Sequence, residues 1–243
     1  MNLIIDIGNT NTKIAVFQSY NIIEIDVFNV ENTFDGINKF LSKYNAVNNT
    51  IISNVSTIKN STIINKTELN KAYFLSDKLK LPFNNMYKSK ETLGSDRKAL
   101  VSAAIKHYPN NNVLIIDAGT CITTDFIDAT GNYYGGSISP GINMRYDVLS
   151  EKTSNLPKLE KKIPSQIIGS STEDSIHSGV INGIVHEIKE YISLYEKQYK
   201  DINIILTGGD SDFLSKPLKI SIFANRNFLL EGLNFILNLN IED

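Results

Sequence analysis

Apolar residues follow two rhythms along this chain, and both rhythms occur in each half. The stretch "IIDIGNTNTKIAVF" at 4–17 reads as an apolar strand, a small-polar turn and a second strand. "YNIIEIDVFNV" at 20–30 alternates like a further strand, and "TIISNVS" at 50–56 is a short buried one. Helical spacing replaces alternation at 33–44, where Phe34, Ile37, Phe40 and Leu41 fall on one face. A second helix is predicted over "SDRKALVSAAIKHYP", with Ser95 as candidate N-cap, Asp96 in the first turn and Pro109 as the stop. In the second half, residues 171–199 predict one long amphipathic helix with Thr172 near its start. "INIILTGGD" at 202–210 predicts a buried strand ending in glycines, and a last helix covers about 227–239. The Asn-rich patches at 45–49 and 110–112 read as loops. Strands followed by helices in both halves predict an α/β protein.

The opening pattern recurs. "IIDIGNTNTKI" at 4–14 returns as "IIDAGTCITTD" at 115–125, a shift of 111 residues. The shift superposes Ile4, Ile5, Asp6 and Gly8 on Ile115, Ile116, Asp117 and Gly119, and Thr12 on Thr123. Thr10 falls one place beyond the position of Thr120. The expectation is two similar halves, 1–111 and 112–243.

Each copy places an acid at the end of an apolar run, followed by a glycine and small polar residues. One copy alone reads equally well as a hairpin turn capped by a carboxylate. Glycine after a strand also lets the backbone approach a ligand, and successive N–H groups with threonine hydroxyls can hold phosphate oxygens. An acid beside phosphate needs a cation between the two, which is the ligand set of Mg²⁺-nucleotide. Lys13 would add positive charge. "TGGD" at 207–210 offers a glycine surface for a flat nucleoside, and "GGSISPG" at 135–141 reads as a tightly shaped loop. "LGSDR" at 93–97 places an acid and an arginine at a helix start. Helix N-termini favour anions. Arg97 could fork onto a substrate carboxylate and Asp96 could accept a hydroxyl proton. A helix cap with a surface ion pair is the plain alternative. His107, His177 and His186 show no metal-ligand spacing, and the sequence contains neither a Walker-type loop nor G-x-G-x-x-G.

Composition narrows the class. A 42% hydrophobic and 21% charged chain is that of a folded protein, and a net charge of -2 argues against a general nucleic-acid binder. One cysteine, Cys121, cannot form an internal disulfide. With neither a signal-peptide pattern nor a run of about 20 apolar residues, the expectation is a cytoplasmic protein away from membranes.

The motifs "DIGNTNTK", "LGSDR", "DAGTCITTD", "GGSISPG" and "TGGD", in this order, resemble those of type III pantothenate kinase. The resemblance runs from residue 4 to about residue 210. That family belongs to the acetate and sugar kinase/Hsp70/actin superfamily. It implies duplicated actin-like, ribonuclease H-like α/β domains with an interdomain nucleotide cleft, and transfer of the ATP γ-phosphoryl group to pantothenate at the start of coenzyme A biosynthesis. Carried onto this chain, the loop Asp6, Ile7, Gly8, Asn9, Thr10, Asn11, Thr12, Lys13 would bind ATP phosphates, with Asp6 facing Mg²⁺ and Thr120 also contacting ATP. Asp117 would hold a monovalent cation, K⁺ or NH₄⁺. Gly94, Ser95, Asp96 and Arg97 would bind pantothenate together with Tyr87 and Thr172, and Asp96 would be the proton acceptor. The family implies a homodimer whose pocket borrows from the neighbouring subunit; Gly179 and Gly183 would give the 172–199 helix a flat face for close approach, and core packing within one subunit explains the same glycines equally well. Cys121 departs from the alanine usual after "DAGT". Two rival readings stand beside this one: a non-enzymatic regulator that keeps the fold, and a superfamily kinase acting on a sugar or acetate. Retention of Asp6, Asp117 and Asp96 speaks against the first, and "GSDR" with Tyr87 against the second.

Overall fold

The structure is a computed structural model that describes residues 1–76, 78–219 and 223–241. From the N-terminus come β1 (Asn2–Ile7), β2 (Asn11–Gln18), β3 (Asn21–Asn29), α1 (Thr33–Lys43), β4 (Asn49–Asn54), α2 (Asn60–Lys66), β5 (Lys71–Phe74), β6 (Asn84–Asn85) and α3 (Ser95–His107). There follow β7 (Asn112–Ala118), β8 (Cys121–Ile127), β9 (Asn132–Pro140), α4 (Ile142–Glu151), α5 (Thr172–His177), a π turn (Ser178–Asn182) and α6 (Gly183–Gln198). The chain closes with β10 (Ile202–Thr207), α7 (Ser211–Leu218), β11 (Phe223–Ala224) and α8 (Phe228–Ile241). Two compact units result. The first comprises 1–109, 131–133 and 227–243, the second 110–130 and 134–226.

Both units repeat one sheet plan. In the first the strands lie in the order β3-β2-β1-β4-β5, in the second β9-β8-β7-β10-β11. The centre of each is the strand that carries the repeated acid. β1 pairs antiparallel with β2 and parallel with β4; β7 pairs antiparallel with β8 and parallel with β10. A central strand covered on both faces needs apolar residues throughout, which is why "LII" and "VLII" do not alternate with polar positions. Leu3, Ile5 and Ile7 pack with Ile37 and Phe40 of α1 and Ile63 of α2. Asn2, two residues along the pleat from Ile4, points to the opposite face and donates to Asn234 and Asn238 of α8. The second unit is built alike. Leu114, Ile116 and Ala118 pack with Ile142 of α4, Ile184 and Ile188 of α6 and Leu214 of α7.

Three local expectations need correction. Gly94, not Ser95, is the N-cap of α3, and no side chain caps it. Ser95 is instead the first helical residue, and its hydroxyl turns to Ser53. "GGSISPG" belongs to strand β9 as far as Pro140, and only Gly141 lies beyond it; β9 lies beside β8 in the sheet, and Ser137 N also donates to Thr124 Oγ1 of β8 at 2.9 Å. The helix expected over 171–199 is interrupted by the π turn, which widens the ladder by a residue around Gly179. Alternation and spacing carried no signal for α2, α4, α7, β5 or β11, all of them short or weakly periodic.

Helix α8 packs on α3 through one glycine. A Cβ at Gly232 would lie 1.9 Å from Ala99 O and 3.1 Å from Ala103 N. Helix propensity alone favours Gly232→Ala by about 1 kcal/mol. Backbone cannot yield as a side chain can, so the substitution is expected to destabilise the protein by roughly 1–3 kcal/mol. A urea midpoint equal to or above that of the parent would show that the helices separate without cost.

Candidate active site

In the first unit, four elements converge at the carboxyl end of β1. The hairpin loop between β1 and β2 is Gly8, Asn9 and Thr10, closed by Gly8 N donating to Asn11 O at 2.9 Å. Asn9, Thr10 and Asn11 are exposed, so their polar groups are open to a ligand. Ile7 and Thr12 face inward. Thr33 Oγ1 donates to Val30 O at 2.7 Å, so the 2.6 Å contact between the Thr12 and Thr33 hydroxyls has Thr12 donating. With their side chains committed to the core, Ile7 and Thr12 can meet a ligand only through backbone.

Asp6, the penultimate residue of β1, lies opposite Lys13 on β2 and Ser53 on β4. Burial pushes its carboxyl up to about 6; Lys13 and a hydrogen bond from Ser53 pull the other way, and the negative charge of Asp96 pushes it further up. Two acids from different motifs therefore act on one another here, with one lysine beside them. Asp96 Oδ1 accepts from Arg97 N at 2.8 Å, and a Cβ at position 94 would come within 2.3 Å of that oxygen. Gly94 is what leaves room for the Asp96 carboxylate. Arg97 is buried, and its guanidinium lies 5.6 Å from the Tyr87 ring centroid. The other neighbour of that ring is Tyr133, stacked at 6.2 Å and fully buried. Tyr87, Gly94, Asp96 and Arg97 thus adjoin one another, and the start of α3 meets the strand neighbour of Asp6 through Ser95 and Ser53.

The second unit holds Asp117, Thr120 and Thr172. Its hairpin loop is one residue shorter, Gly119 and Thr120 only, which accounts for the one-place offset of Thr10. Two glycine backbones press on it. Gly208, at φ +93°, lies where a Cβ would meet Asp117 Oδ1 at 2.4 Å and Ala118 O at 2.3 Å; a Cβ on Gly141 would meet Gly119 O at 2.2 Å. Asp210 N donates to Ala118 O at 2.9 Å, and the Asp210 side chain pairs with Lys161. Thr120 and Thr172 are exposed, Thr172 as the first residue of α5 behind the N-cap Ser171. His177 bonds Tyr146 and His107 bonds Glu231.

Cation binding fits these donors. Among the described residues no three His, Cys, Asp or Glu side chains cluster, which excludes an all-protein metal cage there. Mg²⁺ needs only one or two carboxylates, with water and phosphate completing its shell. The half-buried Asp6, repelled by Asp96, supplies such a group.

The type III pantothenate kinase family model matches residues 2–194. A type III pantothenate kinase of Christiangramia forsetii is 49% identical over 99% of both chains, and one of Flavobacterium johnsoniae is 42% identical over the whole of both. The chain belongs to the type III pantothenate kinase family. It is an ATP-dependent kinase that phosphorylates pantothenate in coenzyme A biosynthesis. Among solved structures, a Campylobacter jejuni protein described as a proposed Baf-family transcriptional activator superposes with a TM-score of 0.67 at 21% identity, covering 99% of this chain and all of that one. A glucokinase from an Antarctic psychrotroph superposes at 0.53 with 11% identity, over 98% of each chain. Those two likenesses bear on the fold alone, which is the actin-like kinase fold expected. No helix among the described residues is long and apolar enough to cross a membrane.

Two residues at this pantothenate kinase's site escaped the motif reading, Ser53 and Tyr133. The available signal for Ser53 was its place: a polar residue ending a buried strand parallel to β1, where open α/β sheets bind ligands. Tyr133 offered none, since its neighbour Tyr87 is 46 residues away.

Folding raises the Asp6 pKa from 3.8 to about 6, so the native state holds this proton more tightly than the unfolded chain. Stability of the ligand-free protein therefore declines as pH rises across that interval, and the whole penalty is present above it. Asp6→Asn is expected to stabilise the ligand-free protein at about pH 7.5 by on the order of 1–3 kcal/mol and to do little at about pH 4. Denaturant titrations in chelator check this; equal effects at both pH values would contradict the burial of that charge.

Proposed function

We propose that the first unit performs the chemistry with Asp96 as proton acceptor and Arg97 as partner of the pantothenate carboxylate. The observation that carries this reading is the 3.0 Å contact between Ser95, at the start of α3 beside Asp96, and Ser53, the register partner of Asp6. One acid then serves the nucleotide and the other the acceptor alcohol. The loop from Asp6 to Lys13 holds ATP phosphates through backbone N–H groups and the exposed Asn9, Thr10 and Asn11, and Lys13 offsets their charge. Asp6 would hold Mg²⁺, which when bound supplies neutralisation of the phosphate charge. Asp117 would hold a monovalent cation, K⁺ or NH₄⁺, and Thr120 contacts ATP. In a loose transition state the catalytic demand is on positioning and charge, so Asp96 has only to orient the primary hydroxyl and take its proton late. Tyr87 supports Arg97, while Gly94, Ser95 and Thr172 complete the acceptor contacts. The enzyme acts in the cytoplasm, where a single free cysteine stays reduced.

In a coupled assay, Asp96→Asn is expected to keep nucleotide binding and lose about 10²–10⁴-fold in turnover. Arg97→Ala is expected to raise the pantothenate KM on the order of tenfold to a hundredfold, the scale of a lost hydrogen bond to a charge. Near-normal turnover in the first variant removes the base assignment, and an unchanged KM in the second removes the carboxylate partner.

We further infer that the protein acts as a homodimer. In the second unit a groove of about 1020 Å³ is lined by Met144, Val148, Leu156, Thr172, Ile176 and Gly179. Ile138, Ile167 and Ile168 on the same unit are 64%, 70% and 78% exposed. Apolar exposure on this scale suits coverage by a second copy. Light scattering at micromolar concentration should give twice the 27.1 kDa chain mass, and Val148→Asp should lower it; a monomeric parent would sink the idea.

A further inference from the structure

The motif reading treats the acid loop and the acceptor loop as separate. One buried side chain joins them. Ser53, the penultimate residue of β4, is 0% exposed and lies in register with Asp6 on the parallel neighbour β1. On the shared face of the two strands Ser53 stands beside the Asp6 carboxylate and pulls its pKa down. On its other side, the Ser53 and Ser95 hydroxyl oxygens lie 3.0 Å apart. Ser53 therefore stands between Ser95, at the first turn of α3, and Asp6.

We infer that Ser53 is a positioning residue that couples nucleotide binding to pantothenate binding, by tying the β1–β2 acid loop to the start of α3. Resting on the residue roles proposed above, this adds the link between them. Nucleotide and Mg²⁺ that fix Asp6 also fix Ser53 and Ser95, and with them the α3 terminus that carries Asp96 and Arg97. Pantothenate then meets an acceptor loop already ordered, and by reciprocity its binding tightens the nucleotide site. Ser53 touches neither substrate; its effect passes through Asp6 and Ser95.

Calorimetric titration of pantothenate, with and without Mg²⁺ and a non-hydrolysable ATP analogue, measures the coupling. The parent is expected to bind pantothenate at least about fivefold tighter with nucleotide present. Ser53→Ala and Ser95→Ala should each reduce that ratio below about twofold, and the double variant should lower it no further, because both remove one chain of bonds. Thermal melting of each variant shows that it is folded. A parent without coupling, or an S53A variant that keeps it, overturns the inference. Arg97→Ala separates this from the underlying assignment. If R97A weakens pantothenate binding and S53A leaves the ratio intact, the link alone fails; if R97A binds pantothenate normally, the acceptor-loop assignment fails instead.

Discussion

A carboxylate that water reaches poorly, placed at the end of a buried strand, must be answered by its neighbours, and the first unit is arranged around that requirement at Asp6. Lys13 stands opposite it on β2 and Ser53 beside it on β4, both pulling its pKa down, yet burial still holds it near 6. The start of α3 then adds Asp96, a second negative charge, where the helix dipole can carry it. A fold selected for stability alone would keep two acids apart. Their proximity gives the ligand-free state an electrostatic cost, one that a cation held there, as proposed above, would relieve.

Duplication gives both units the same acid at the same point of the same sheet, and small differences separate their work. In the first, the loop has three residues and a Cβ on Gly8 would meet only Asn11 O, at 3.1 Å. In the second, the loop has two residues and is wedged between the backbones of Gly141 and Gly208, which a Cβ on either would disrupt. One additional residue leaves Asn9 and Thr10 projecting into solvent; its absence, with two glycines behind, fixes Asp117 against Ala118 and Gly208. An exposed, polar loop suits a polyanionic ligand that comes and goes, and a braced acid suits an ion.

Much of this was legible because burial writes itself into composition. Central strands covered on both faces need unbroken apolar runs, and an acid ending such a run stands out, the more so when the run and acid recur 111 residues on. The helices α1, α3 and α8 were visible for the same reason. What stayed hidden depends on pairing across long separations. That Ser95 caps nothing and instead reaches Ser53 is set by the parallel register of β1 and β4, not by the local sequence around either serine. Tyr133 reaches the arginine of "GSDR" through Tyr87, and stacking across such a separation leaves no periodicity. The π turn was invisible because its residues, Ser178–Asn182, keep helical composition while one extra residue enters the ladder.

That extra residue also bears on the long irregular segment before it. Residues 152–171 contain no helix or strand, a length at which a connection in a compact domain usually serves function. Polar ties hold it all the same. Ser178 of the π turn donates to Ile167 O, Ser175 reaches Gly169 O at 3.4 Å, and Lys161 pairs with Asp210. A loop could bury Ile167 and Ile168 by turning them toward the helix; here backbone ties take that side, and both isoleucines point outward. Hydrogen bonds that fix backbone while leaving large apolar side chains in water make little sense for an isolated surface, since each such side chain forgoes about 1.5–3 kcal/mol of burial. They make sense if the segment is shaped to be covered, and the exposed Thr172 at the head of α5 lies one turn from the same ties.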